Sequence, residues 1–392
     1  MKKFLAILFV SFAQISAGFL VAETPRPAWV QNPPGNTANM VYFLGISDRA
    51  ANYENFLEAK AGALADVLFQ FSVYKDVEFQ GKITDSINDQ TEEYALESLT
   101  RLISQNDSSG LYQQAEWMDR DGTLYVLYGY SPGGILNPRP NLSDAFERIT
   151  FSSGRIYFAA LAVSSQDNAE LARQAEQNAR IQVQLWFGTD INMDLREYYE
   201  QLDNQVPVEF FSGAIIGRSG INFQPLVFRE ESRRVVRGQD NRFYHYGIYS
   251  ISDARPAIIA ESEVFSYSVA YESRTESFEK QININGNRFT RERPYPARTA
   301  GDAPSEFPAP VVNVLFNSPE NTLLGLGIAN NASMETQRLM AGIRAVSEIG
   351  LSASSAILDG TIFSRMILSR LEISLDFLAP DNTTWQVWAA GQ

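Results

Sequence analysis

The chain has 392 residues, 45% of them apolar and 12% aromatic, which suits two or three domains with ample core and excludes a wholly disordered chain. Its formal charge of −14 repels phosphate backbones and anionic lipid, which argues against nucleic-acid binding and against electrostatic docking on a membrane. The absence of cysteine removes disulfides, thiolate metal sites, cysteine nucleophiles and lipid attachment at a leader cysteine.

Residues 1–22 follow the order of a secretory signal peptide: Lys2 and Lys3, an apolar stretch from Phe4 to Phe12, then small residues at Ala13, Ser16, Ala17 and Ala22. Cleavage is expected after Ala17 or Ala22. A retained anchor is the alternative, because Phe4 to Ala22 is just long enough to span a bilayer. No other stretch is apolar for long enough, so no integral membrane span is expected after cleavage.

A first unit is expected over residues 23–131. Val41 to Ile46 reads as a buried strand. Leu57, Ala61, Leu64, Leu68 and Phe71 then step by four and three along one helix face, with Asn52 where a cap belongs. Val77 to Phe79 and Leu111 to Trp117 read as strands, and Glu92 to Ser104 fits either helix or strand. Asp121-Gly122 turns the chain into a closing strand, Leu124 to Tyr130. Ser131 to Asn141, with three prolines and two glycines, reads as a linker.

The second unit is expected over 141–290. It has a strand from Ile156 to Ala162 and a helix face of Leu171, Ala175, Ala179, Val183 and Trp186. Strands follow at Val206 to Ile215 and Leu226 to Arg229, and Phe243 to Tyr246 closes the unit. It carries an extension in which Phe265, Tyr267, Val269 and Tyr271 alternate with smaller residues. Ile282 and Ile284 alternate ahead of an Asn285-Gly286 turn. Residues 291–310, with five prolines, read as a second linker. The third unit, 311–392, has a strand from Leu323 to Ala329 and a helix face of Leu339, Ile343, Val346, Gly350, Ala353 and Ile357. Thr361 to Phe377 reads as strand-rich, and Trp385 to Ala389 closes the sheet.

The recurrence of strand, alanine-rich helix, turn and aromatic closing strand points to a tandem array. The expected fold class is α+β: three tandem strand–helix–antiparallel-strand units, each with its helix packed on one face of its own sheet.

Pro27-Ala28-Trp29-Val30, the strand Tyr42 to Ser47 and the helix Ala59 to Ala65 resemble the LPP20-like family of bacterial envelope proteins. The resemblance covers residues 27–131 best, and the two later units match through strand and helix pattern only. It implies an envelope structural or assembly role and supplies no catalytic residues. The family includes outer-membrane lipoproteins, whose attachment cysteine is absent here, and a flagellar basal-disk protein.

Candidate chemistry is sparse. His245, the only histidine, sits in a closing strand and reads as a sheet residue; with no cysteine beside it, a transition-metal site is not expected. Asp119-Arg120-Asp121-Gly122 lacks the later ligands of a calcium loop and reads as a hairpin turn. Gly325-Leu326-Gly327 lacks the third glycine of a dinucleotide fingerprint and reads as close helix packing. The pairs Glu92-Glu93 and Glu230-Glu231 read as solvated charge. Arg229, Arg233, Arg234 and Arg237 form a small basic cluster suited to an acidic partner or to internal ion pairs. No catalytic, cofactor-binding or metal-ligating residue is assigned.

The expected function is that of a non-enzymatic exported scaffold, in the periplasm or associated with the outer membrane, contacting envelope proteins or further copies of itself. A flagellar link is implied by the resemblance alone. Phe265, Tyr267, Val269 and Tyr271, lying outside the common repeat, are the expected partner surface. The rival readings are a glycan- or peptidoglycan-binding module using exposed aromatics, a carboxylate-dependent hydrolase, and a pore whose extension strands join a barrel. Charges at Glu272, Arg274, Glu276, Glu279 and Lys280 weigh against the last.

Overall fold

The computed structural model describes residues 26–48, 56–88, 93–131, 154–203, 205–224, 226–252, 256–293, 322–330, 334–358, 361–378 and 384–391. The expected signal peptide lies outside them, as do the two expected linkers apart from Ser131 and residues 291–293.

A one-turn helix, α1 (Ala28–Gln31), buries Val30 beside Leu44, Ile46 and Tyr125. Three short sheets then share one connection pattern. In the first, β1 (Val41–Ile46) lies antiparallel to β5 (Leu124–Tyr130), which pairs on its other side with β4 (Leu111–Met118). In the second, β6 (Arg155–Ser164) pairs with β10 (Phe243–Ser252), and β10 with β9 (Arg229–Arg237). In the third, β14 (Leu323–Asn330) pairs with β18 (Thr384–Gly391), and β18 with β17 (Glu372–Leu378). A long helix follows each first strand: α2 (Phe56–Lys75), α3 (Ala169–Phe187) and α4 (Met334–Ser354). Small residues set the strand-to-helix distance. A Cβ at Gly45 would overlap the carbonyl oxygen of Ala63 in α2, and one at Gly327 that of Ala341 in α4.

The remaining strands from all three regions merge. They are β2 (Val77–Asn88), β3 (Glu93–Asp107), β7 (Asp190–Leu202), β8 (Val208–Ile221), β11 (Ile258–Glu272), β12 (Ser277–Ile284), β13 (Asn287–Arg291), β15 (Ser355–Leu358) and β16 (Thr361–Leu368). They form one antiparallel nine-stranded sheet in the order β13-β12-β11-β8-β7-β3-β2-β16-β15. β3 joins β7 from Ala95↔Leu202 to Asp107↔Asp190, and β2 joins β16 from Thr84↔Thr361 to Val77↔Leu368. Asn285 and Gly286, both at positive φ, turn β12 into β13.

This sheet wraps α2, which meets β2, β3, β7, β8, β11 and β12 on one side and β1 and β5 on the other, with contacts to α3 and α4. α2 is therefore buried on every face from Phe56 to Val73, not only along Leu57, Ala61, Leu64, Leu68 and Phe71. α3 and α4 pack chiefly against their own small sheets, β6–β10 and β14–β18. The main core runs continuously through all three regions, from Phe43 and Phe71 through Leu185 and Phe265 to Ile343 and Ala389.

The expected fold class is thus corrected. Among the described residues the protein is mostly β, with 56% strand and 23% helix, and it is not a series of tandem α+β units: strands of all three regions share one nine-stranded sheet, and α2 lies between that sheet and its own. Long hairpins expose two rows of backbone donors and acceptors, and here those rows are satisfied by hairpins from neighbouring regions. Of Glu92 to Ser104, which fits either helix or strand by pattern, Glu93 to Ser104 lie in β3 and are strand, and Glu92 is outside the described residues. Leu226 to Phe228, expected as strand, lies before β9 in a turn in which Val227 has a positive φ.

Candidate functional site

The densest group of buried ionisable side chains lies where the three regions meet on α2. The chain leaves β1 through Ser47 and reaches Asp48, which caps the start of α4. Glu335 N donates to Asp48 Oδ1 at 2.6 Å, and Asp48 N donates to Glu335 Oε1 at 2.7 Å. This reciprocal pairing has the logic of a capping box, assembled here from residues 287 apart in sequence. Lys280 enters from β12, with Nζ 3.1 Å from Glu335 Oε2 and 3.3 Å from Asp48 Oδ2. Tyr267 of β11 donates its hydroxyl to Glu335 Oε2 at 3.1 Å. None of these four residues is more than 4% exposed. Gly62 of α2 makes the room, since a Cβ there would overlap the Glu335 carboxylate.

Further pairs fasten α2 along its length. Arg291 of β13 donates Nε and Nη2 to the two oxygens of Glu58, at 2.8 and 2.9 Å. Asp66 pairs with Arg338 of α4 at 2.5 Å and accepts from Ile46 N at 3.2 Å. Lys60 donates to Glu116 of β4 at 3.0 Å and to Gln113. Glu116 also accepts from Asn178 of α3 at 3.0 Å and from Leu161 N of β6. Arg344 of α4 reaches across to Glu197 and Glu209 on β7 and β8.

Burial raises the Glu335 carboxyl, the negative Asp48 adds to this, and Lys280 opposes it; the result is about 7. Burial by itself would depress Lys280, but Glu335, Asp48 and Glu58 outweigh it and hold the ammonium above its usual range. Burial and the Glu335 charge push the Tyr267 phenol far up, so it stays a donor. Lys60, with burial dominant over the attraction of Glu116, is lowered. With Glu335 ionised, two carboxylates face one ammonium. With it protonated, Asp48 and Lys280 balance.

The residues singled out from sequence fall in several places. Phe265, Tyr267, Val269 and Tyr271, expected to present a partner surface, are all buried at 6% exposure or less. They occupy the inner face of β11, because β8 and β12 flank that strand and α2 covers it. The outward set on the same strand is Ser266, Ser268 and Ala270. His245 lies in β10 opposite Ala162 and Val235, 2% exposed, with its pKa lowered by burial and by Arg233. Asp119 to Gly122 form the β4–β5 hairpin turn, closed by Gly122 N donating to Asp119 O at 3.0 Å. Glu230 pairs with Arg233 at 3.6 Å, and Glu231 accepts from Ser250 and pairs with Arg155. Glu92 lies outside the described residues, as does the cap position Asn52. Among the described residues, no group of three His, Cys, Asp or Glu could hold a metal ion, and no helix is long and apolar enough to cross a membrane.

A shallow groove of about 330 Å³ crosses the outer face of the large sheet. Its floor includes Ser212, Ala214, Ser268 and Ala270, with Asp194 and Arg196 on one wall and Glu279 and Gln281 on the other. Both Asp194 oxygens are taken by the forks of Arg101 and Arg196, at 2.7 to 3.1 Å, which hold that carboxyl well below the usual range.

Sequence reasoning passed over Asp48 and Glu335, and took Lys280 only as a charge that weighs against a barrel. Lys280 did leave a signal: it stands at an inward position of the alternation Phe278, Ile282, Ile284, where a lone charge needs a buried partner. Searched against protein-family models and against curated proteins, the chain matches none.

Proposed function

We propose that this protein is an exported, non-catalytic component of a bacterial cell envelope, acting as a structural or assembly scaffold in the periplasm or against the outer membrane. One observation carries the reading. The buried, convergent ionisable groups Asp48, Lys280 and Glu335 are engaged with one another and join sequence-distant segments, so their chemistry serves to fix those segments. A rigid body with large outer faces is what a scaffold offers its neighbours. The signal-peptide order of residues 1–22 supports export. The resemblance of residues 27–131 to LPP20-like proteins supports the envelope, and a flagellar association rests on that resemblance alone. The partners are envelope proteins or further copies of the chain.

Cell fractionation with N-terminal sequencing, followed by cross-linking in native envelope, tests the proposal. The expected result is a protein beginning near Gly18 or Glu23, outside the cytoplasm and cross-linked to envelope proteins. A cytoplasmic protein with Met1 intact overturns it.

Glycan binding is a second reading with an observation of its own. Phe363, Lys82, Leu99, Tyr198 and Phe210 form one cross-strand row on the outer sheet face, and Phe363 and Phe210 are 43% and 38% exposed. Sedimentation of the purified protein with cell wall distinguishes it from the scaffold.

A further inference from the structure

β9 is an open, cationic strand edge on an anionic molecule. It pairs with β10 on one side and, among the described residues, with no strand on the other. Seven of its nine residues are exposed. From Ser232 to Arg237 its register with β10 is regular, and a bulge interrupts the ladder at Glu231. This stretch therefore presents backbone donors and acceptors in the spacing that another strand needs.

The charge on the strand is selective. Arg229, Arg233, Arg234 and Arg237 face only two acids on β9, Glu230 and Glu231, in a chain of formal charge −14. Glu230 pairs with Arg233 at 3.6 Å and Glu231 with Arg155 of β6 at 3.5 Å, so the strand keeps four positive charges against two negative ones. Arg237 is held over the Phe243 ring at 5.6 Å and bonded to Asn241, so its guanidinium has a fixed position.

The first sheet shows what becomes of this position elsewhere in the molecule. β4 stands at the same place beside β5 and has no exposed residue. It is covered by α3 and β6, with Tyr112 donating to Tyr157 O at 3.2 Å and Glu116 accepting from Leu161 N. Among the described residues, no strand lies beside the corresponding edge in the second sheet.

We propose that β9 is a docking edge for an acidic, extended segment of a partner protein, added as a fourth strand beside Ser232–Arg237. Backbone pairing supplies the register and the arginines select the charge. A second copy joined β9 to β9 would bring together two strands of net positive charge, so the occupant is a different, acidic strand. The inference deepens the scaffold reading by naming its partner class. It is tested on purified protein, so it can fail while envelope localisation stands, and the reverse.

The probe is a short fluorescein-labelled peptide of alternating Glu and Val, read by fluorescence anisotropy against the purified mature chain. Saturable binding is expected, weakened about tenfold or more in R233E/R234E/R237E, as charge reversal across an interface requires. If circular dichroism shows that variant unfolded, R233Q/R234Q replaces it, with the same direction expected. A peptide carrying Pro at alternate positions cannot complete the ladder and should not bind. No binding of the Glu–Val peptide, equal binding of the proline peptide, or unchanged affinity in the folded variant overturns the proposal. Peptide-independent dimers in sedimentation velocity that the same variant abolishes would also overturn it, by giving the edge to a second copy.

Discussion

α2 and α3 follow equivalent first strands and are nearly equal in length, yet their charges do different work. On α3, Glu170–Arg173 and Glu176–Arg180 are local pairs, half in water, at 2.5 and 2.7 Å. Such pairs contribute roughly 0.3–0.5 kcal/mol and are screened by salt. On α2, Glu58, Lys60 and Asp66 each bond a different region of the chain from inside the core. Buried pairs add little net stability compared with an apolar core, but losing one partner leaves a charge stranded. The ion pairs on α3 decorate a helix, and those on α2 determine where three regions sit relative to one another.

The sharpest way to break this contrast is to strand the junction charges. Lys280→Met leaves Asp48 and Glu335 facing each other without a cation, and a loss of about 3–5 kcal/mol is expected. The denaturant midpoint measures it, and a midpoint like that of the native chain would show that the junction is wet. Gly62→Ala comes next. In an exposed helix this change stabilises by up to about 1 kcal/mol. Here the new methyl meets the Glu335 carboxylate, so a net loss of about 1–3 kcal/mol is expected. A gain in melting temperature would contradict the packing.

pH sharpens the comparison further. Folded Glu335, at about 7 against an ordinary 4.5, binds its proton more tightly than the unfolded chain does. Its contribution to stability is fully present below 4.5 and is lost as pH rises through 7. Glu335→Gln should flatten that part of the stability profile, while Glu170→Gln on α3 leaves it in place. Identical profiles for native and Glu335→Gln protein would remove Glu335 from the account. The smallest effect is expected on α3: Arg173→Ala should change stability by less than about 1 kcal/mol, and a larger loss would mean that its contact with Asn287 matters more than its ion pair.

Local pattern carried the elements that repeat. The strands around Tyr42, Tyr157 and Leu324, the helices behind them and the Asn285-Gly286 turn are visible because their periodicity and turn residues are local signals. The nine-stranded sheet is not, because β3–β7 and β2–β16 pair regions far apart, and nothing within one strand names its neighbour. Alternation at Phe265, Tyr267, Val269 and Tyr271 marked a strand correctly but could not say which side faces water, and the side read as surface is core. In α2 the helical face was legible, while Lys60 and Asp66 disguised a helix buried all round. The junction was hidden for the same reason as the sheet: its capping residues come from opposite ends of the chain.

The central claim is that the third region is not an appended unit but is locked into a common body through Asp48, Lys280 and Glu335. Native-state hydrogen exchange under increasing denaturant tests it directly. Slow amides of α4 and β14 should open with the same free energy and denaturant dependence as those of α2, in one cooperative step. If α4 and β14 open at much lower free energy while α2 remains protected, the regions fold independently and the account is contradicted.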